Sequence, residues 1–289
     1  MNIRLFFKRV WNVWVLLMMI IVLTIIMKVF LFASFKIPTP SMEPSIMAGD
    51  HILVNKLALG PRLYENFGFL KGKKTKMKRM KGMHKVKRND VLVFDFPYKT
   101  SDKIRQGGNV FYVKRCVAIP RDTFYIDNCI YKVKGLNESL GNSTKQVELS
   151  KRNEEFFNED ILNIFPKDTT TFHWTIKNFG PLYVPGKGDN IKINSANVLL
   201  YKNIIEYETE KNISIKNDLV YFGDSVINEY TFQQDYYFMV GDLVHDSQDS
   251  RYWGLLPDDL VVGKATIVWK SQDIKTGKYR WDRFLKLVK

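Results

Sequence analysis

Apolar and polar positions are distributed in two different ways along this chain. From Trp11 to Phe35, "WNVWVLLMMIIVLTIIMKVFLFASF", the apolar run is interrupted only by Asn12, Thr24, Lys28 and Ser34. A helix of roughly 20 apolar residues crosses a bilayer core, and residues 13–35 are predicted to do so. Trp11 and Trp14 suit an interface, and Lys28 lies close enough to the far end to extend its ammonium towards the headgroups. Arg4, Lys8 and Arg9 precede the span, so residues 1–12 are expected in the cytoplasm and the rest of the chain outside. A cleaved secretory signal is the alternative, but its apolar region would be unusually long and no clean small-residue cleavage site follows.

Beyond Asp50 the pattern changes to short alternating runs bounded by turn residues: "DHILVNKL", "DVLVFDFP", "NVFYVKRCVAI", "DTFYIDNCIYKV", "YYFMVGD" and "LVVGKATIVWK". Alternation with period two predicts strands. Helical spacing is clear in "SANVLLYKNIIEYETEKN", where Val198, Tyr201, Ile204 and Ile205 recur behind a candidate Ser195 cap. The chain therefore reads as mainly β. An antiparallel β domain in two parts, 36–133 and 234–289, is interrupted by a smaller inserted α+β subdomain over 134–233 and preceded by one transmembrane helix.

Charge alters this picture at one place. The formal balance of +14 over 289 residues suggests nucleic acid until it is located. Residues 71–88, "KGKKTKMKRMKGMHKVKR", hold ten Lys or Arg and no acid, and the remainder carries 34 basic against 30 acidic residues, or +4. The segment has no apolar periodicity and is expected to be an exposed basic loop. It either faces water or, held near a bilayer by the anchor, attracts anionic headgroups. With no aromatic residues among its lysines it is a poor nucleic-acid binder. Cys116 and Cys129 suffice for one disulfide, towards which this reading leans slightly, but do not require it.

Several chemistries are missing from the sequence. There is no Gly-x-Ser-x-Gly elbow, phosphate loop, Cys-x-x-Cys pair or His-Glu-x-x-His motif, and the four histidines are scattered. Three stretches remain. In "KIPTPSMEP", Pro38, Pro40 and Pro44 favour extended geometry, in which Thr39 and Ser41 present their hydroxyls on one side. On those nine residues alone, a stiff stalk lifting the domain from the bilayer is the simpler reading. A serine nucleophile needs a base, and a desolvated lysine can serve. In "FYVKRCVAI", Lys114 shares a face with Tyr112, Cys116 and Ala118, while Arg115 points the other way with Val113 and Val117. The third stretch, "VGDLVHDSQDSRYWG", reads as a rigid loop held by side-chain hydrogen bonds and an Asp to Arg ion pair, or as a calcium loop without regular ligand spacing.

Taken in order, the anchor, "PSMEPS", "GDHILVNK", "KRNDVLVFDFP", "YVKRCVAIPRD" and "GDLVHDSQDSRYWG" resemble the bacterial type I signal peptidases, membrane-bound serine proteases that remove signal peptides from exported preproteins. The resemblance implies an antiparallel β catalytic domain with Ser41 as nucleophile and Lys114 as general base. The Ser41 N–H and the Thr39 hydroxyl form the implied oxyanion hole. By the same resemblance Ser247 is expected to orient the lysine, and Asp249 and Arg251 to support the loop. It implies cutting after a small residue in an Ala-x-Ala-like context, with no cofactor and no metal. The implied location is the bacterial plasma (inner) membrane, the catalytic domain on its outer, periplasmic face. Ala118 and Arg121 stand where the family usually has glycines, Leu243 and Asp246 where asparagine is common; a turn needing positive φ at "AIPRD" is therefore in question. Two other readings compete: a Ser-Lys self-cleaving protease of phage-repressor type, and a non-enzymatic membrane-tethered β domain that binds lipid or a partner.

Overall fold

The computed structural model describes residues 3–65, 77–98, 103–106, 110–153, 156, 164–168 and 170–289. Ile3–Ile26 form an α-helix that continues as a π-helical turn, Met27–Leu31. Trp11, Leu16, Ile20 and Leu23 are each more than half exposed along it, an apolar surface suited to lipid. The helix stops short of the predicted end at residue 35. Phe32–Lys36 instead forms strand β1 against Asp50–Asn55 (β2), with Phe35 opposite Ile52 and Ser34 opposite Leu53. Lys56, just after β2, donates to the Lys28 and Val29 carbonyls at 2.7 and 3.2 Å, satisfying acceptors that the helix end leaves open.

The large sheet, whose strands alone are numbered, has the order β1, β2, β7 (Val261–Ser271), β3 (Val91–Asp95), β4 (Phe111–Ala118), β5 (Tyr236–Val240), β6 (Leu256–Pro257), and β8 (Lys286–Leu287) pairs with β7. Its pairings are antiparallel, in keeping with the mainly antiparallel β expectation. Strand β3 is buried on both faces, which is why "VLVF" carries no polar alternation. Val91 and Val93 join a cluster with Met42, Ile46 and Ile52, while Leu92 and Phe94 join a larger one with Cys116, Phe238 and Trp253.

The chain leaves the sheet at Ala118 and returns beside it, Ala118 lying opposite Phe238. Between them lie Thr123–Asp127 and Ile130–Val133, expected with the first part of the β domain; Thr123–Asp127 instead pairs with Ile130–Val133 on one side and Phe179–Tyr183 on the other in a separate sheet. Phe124 stacks on Phe238 with ring centroids 4.3 Å apart, folding this hairpin over β5 instead of along a sheet edge. The predicted helix forms over Val198–Thr209, with Asn197 in place of Ser195 at its N-cap. Asn194 accepts from the amides of Ala196 and Asn197, and that local turn takes up the segment in which Ser195 lies.

Within the basic segment, residues 71–76 lie outside the described residues. The rest is tied to the fold and is no free loop. Met77–Arg79 pairs with Arg62–Tyr64, Arg79 meets Asp258 at 3.1 Å, and Arg88 meets Asp122 at 2.5 Å. Lys78, Lys81, Lys85 and Lys87 stay exposed. Cys116 and Cys129 are both buried and no disulfide joins them.

Candidate active site

Ser41 does not lie on an extended segment. Residues 41–45 form a turn in which the Pro40 carbonyl accepts from Glu43 N at 2.8 Å and the Met42 carbonyl from Ile46 N at 2.9 Å. The turn puts Met42 and Ile46, four residues apart, on one side, where they are 1% and 0% exposed. Burying two side chains of this size contributes roughly 1.5–3 kcal/mol each, which outweighs the extended preference set by the prolines. Period-two alternation therefore does not relate Thr39 to Ser41. Both nevertheless line one cleft of about 530 Å³ with Phe35, Tyr112, Lys114 and Gln248.

Lys114 reaches this cleft from β4, where it pairs across to Leu92 and is 3% exposed. Its Nζ donates to Ser41 Oγ at 2.6 Å and lies 5.8 Å from the Tyr112 ring centroid. Burial pushes the Lys114 ammonium from an ordinary 10.5 down to about 8. Asp249 opposes that shift, but Arg251 is bound to both of its oxygens and offsets its field. At pH 7, one unit below such a pKa, roughly one molecule in ten carries a neutral amine able to accept a proton.

The frame is the loop between β5 and β6. Asp249 and Arg251 are both 0% exposed, joined by Nε at 2.8 Å and Nη2 at 2.8 Å. Asp249 also accepts from Gly241 N at 2.9 Å, and the Ser41 carbonyl accepts from Leu243 N at 3.1 Å, so the loop is fastened directly to the Ser41 turn. At Gly241 there is no room for a side chain: an added Cβ would lie 2.1 Å from Ser247 Oγ and 2.5 Å from the Ser41 carbonyl oxygen. Ser247 is buried here, but its hydroxyl has no hydrogen-bond partner among the described residues, and the contact to Lys114 that the resemblance implies is not formed in this geometry.

A second buried pair holds the other side of β4. Arg115 forks onto Asp242 at 2.7 and 2.6 Å, donates to the Asn89 carbonyl at 2.8 Å and reaches Ser45 Oγ at 3.1 Å. Three segments, the Ser41 turn, β4 and the loop after β5, thus converge on the guanidinium next in sequence to Lys114. Strand alternation indicates only that Arg115 points away from Lys114. The missed signal was a charged residue inside an apolar strand, which demands a buried partner. At "AIPRD", Arg121 adopts φ +75°, so the turn forms with arginine in the left-handed region, tethered to Asp189 at 3.0 Å.

A family profile described as "Signal peptidase, peptidase S26" matches residues 10–270. A protein named signal peptidase I from Buchnera aphidicola subsp. Schizaphis graminum is 27% identical over 267 residues, covering 88% of this chain and 73% of that protein. Its namesake in Haemophilus influenzae is 27% identical over 299 residues, covering 93% and 73%. The one in Pseudomonas aeruginosa is 27% identical over 262 residues, covering 87% and 69%.

Proposed function

The chain belongs to the S26 family of signal peptidases, serine endopeptidases that remove signal peptides from preproteins, and from that premise we propose that Ser41 is its nucleophile and Lys114 its general base. The 2.6 Å contact between Lys114 Nζ and Ser41 Oγ, with the lysine 3% exposed, carries this reading. When the amine is neutral the same contact reverses direction. Lys114 takes the hydroxyl proton as Oγ attacks the scissile carbonyl, and the ammonium then protonates the departing amine. The Ser41 N–H and the Thr39 hydroxyl, neither engaged by another protein group among the described residues, receive the developing oxyanion. Water deprotonated by Lys114 hydrolyses the acyl-enzyme and releases the carboxylate.

Pairing of β5 with β4 runs from Arg115 onwards, so Phe111–Val113 keep an edge open to the cleft on which an extended peptide can pair. Shallow apolar walls there suit small side chains before the cut. Asp249 and Arg251 support the loop, Ser247 adjusts the lysine by rotating its unpartnered hydroxyl towards it, and residues 134–233 take no part in the chemistry. The amino terminus lies in the cytoplasm of a bacterial cell and the domain on the outer face of the plasma membrane, as Arg4, Lys8 and Arg9 favour. The exposed lysines of 78–87 contact anionic headgroups.

The test is cleavage of a presecretory protein by the full chain in detergent, followed by intact-mass measurement. Wild type is expected to cut once, after a small residue, and Ser41→Ala and Lys114→Ala are each expected to lose at least 1,000-fold in rate, an estimate on the order set by removal of a nucleophile or its base. Full cleavage by Lys114→Ala would remove the base assignment.

A further inference from the structure

Beside the Ser41 cleft lies a second one of about 690 Å³, with an aromatic floor of Phe96, Tyr252 and Trp253 and a rim bearing Lys167, Lys202 and Asn203. Given the protease reading above, on which it rests, we propose that this second cleft binds the stretch of preprotein that follows the cut and favours acidic side chains in it.

Continuity is the first support. The exposed Gln248 lines both clefts. Tyr112, a wall of the first, stacks on Phe96, a floor residue of the second, with centroids 4.2 Å apart and planes 16° from parallel. Direction is the second. Strand β1 runs straight from the anchor helix into Ile37–Ser41, so the membrane end of the Ser41 cleft is at Phe35 and Phe111. Residues before the cut enter from that end. Residues after it must leave past Lys114 towards Gln248, where the second cleft opens, and four extended residues cover about 13 Å.

Charge is the third support. Among the described residues, neither the Lys167 nor the Lys202 ammonium has a carboxylate partner, and no acidic residue lines this cleft. The neighbouring Asp168 is folded back, its Oδ1 accepting from the amides of Thr170 and Thr171 and from the Thr170 hydroxyl. Two cations without a carboxylate partner among the described residues, set over an aromatic floor beside the Asn203 amide, one N–H of which donates to the Tyr98 hydroxyl at 3.2 Å, suit a peptide carrying carboxylates.

The experiment uses the full-length enzyme in detergent and peptides identical up to the cut. Positions three to five after it are Glu, Gln or Lys, and a further peptide ends at the second residue after the cut. Wild type should show KM rising from Glu to Gln to Lys by about fivefold overall, the size expected of partly exposed charge pairs. Lys167→Glu combined with Lys202→Glu should reverse that order with kcat nearly unchanged, and should leave KM for the truncated peptide where it was. A thermal melt verifies that the double variant is folded. An unchanged KM order in the variant, or an equal change on the truncated peptide, overturns the proposal while leaving Ser41 and Lys114 in place. Failure of wild type to cut any peptide overturns the protease reading and this proposal together.

Discussion

Lys114 is a cost to the fold as well as a candidate base. Its pKa falls from 10.5 to about 8 because a buried ammonium is poorly solvated. Between those two values the unfolded chain binds more protons than the folded one, so stability rises with pH across that window. Below pH 8 both states are protonated and the whole penalty, about 3 kcal/mol, applies. Above pH 10.5 it vanishes. Lys114→Met, similar in length and apolar, is therefore expected to melt several degrees above wild type at pH 6.5 and to lose most of that advantage by pH 10.5, while cutting nothing. Thermal unfolding in detergent at the two pH values checks this, and an advantage independent of pH would contradict it. The proposed role of the same amine requires wild-type cleavage to climb with pH through about 8. Stability and activity thus trace one titration.

At the level of elements, the loop between β5 and β6 is packed so closely on the Ser41 turn that its smallest residue is decisive. Gly241→Ala must displace both Ser247 and the Ser41 carbonyl, each within 2.5 Å of the new carbon. Moving Ser41 by part of an ångström disturbs its contact with Lys114, so kcat is expected to drop by about 100-fold, with KM and the melting temperature changing far less. A variant with wild-type kcat would show that the turn can yield without consequence. Elements also show what the sequence could and could not reveal. Strand β2 was legible from its alternation, and β3 and β5, buried on both faces, from short apolar runs bounded by turn residues. Lys114 stood out as a charge in such a strand. The turn at Ser41 was not legible, since it depends on Met42 and Ile46 meeting a cluster completed by Val262 and Val268, over 200 residues later in the chain. The Arg115 to Asp242 pair was hidden for the same reason: each half was visible, and their contact exists only after β4 and β5 align.

For the whole molecule, the question is which surface faces the bilayer. The anchor helix passes directly into β1, and Lys56 is bound to its last turn through the Lys28 and Val29 carbonyls. Leu57 and Ala58 follow, and their carbonyls accept from Met83 N at 3.1 Å and His84 N at 2.8 Å. The exposed part of the basic segment therefore hangs at the membrane end of the domain. Trp269 donates to Ser34 of β1 at 2.8 Å, and Trp281 and Leu285 are 72% and 73% exposed. Arg79 and Arg88 are committed to Asp258 and Asp122, so deleting the segment would damage the fold, whereas neutralising lysines that point outward would not. Each basic residue near an anionic surface contributes roughly 1 kcal/mol, screened by salt. Full-length enzyme reconstituted in vesicles containing anionic lipid is expected to cut a membrane-inserted preprotein several-fold faster than in zwitterionic vesicles at low salt. Lys78→Gln, Lys81→Gln and Lys85→Gln together should bring that ratio close to one, as should high salt for wild type, with rates in detergent unchanged. A ratio that survives the three substitutions would mean that these lysines face water and do not sense the charge of the lipid.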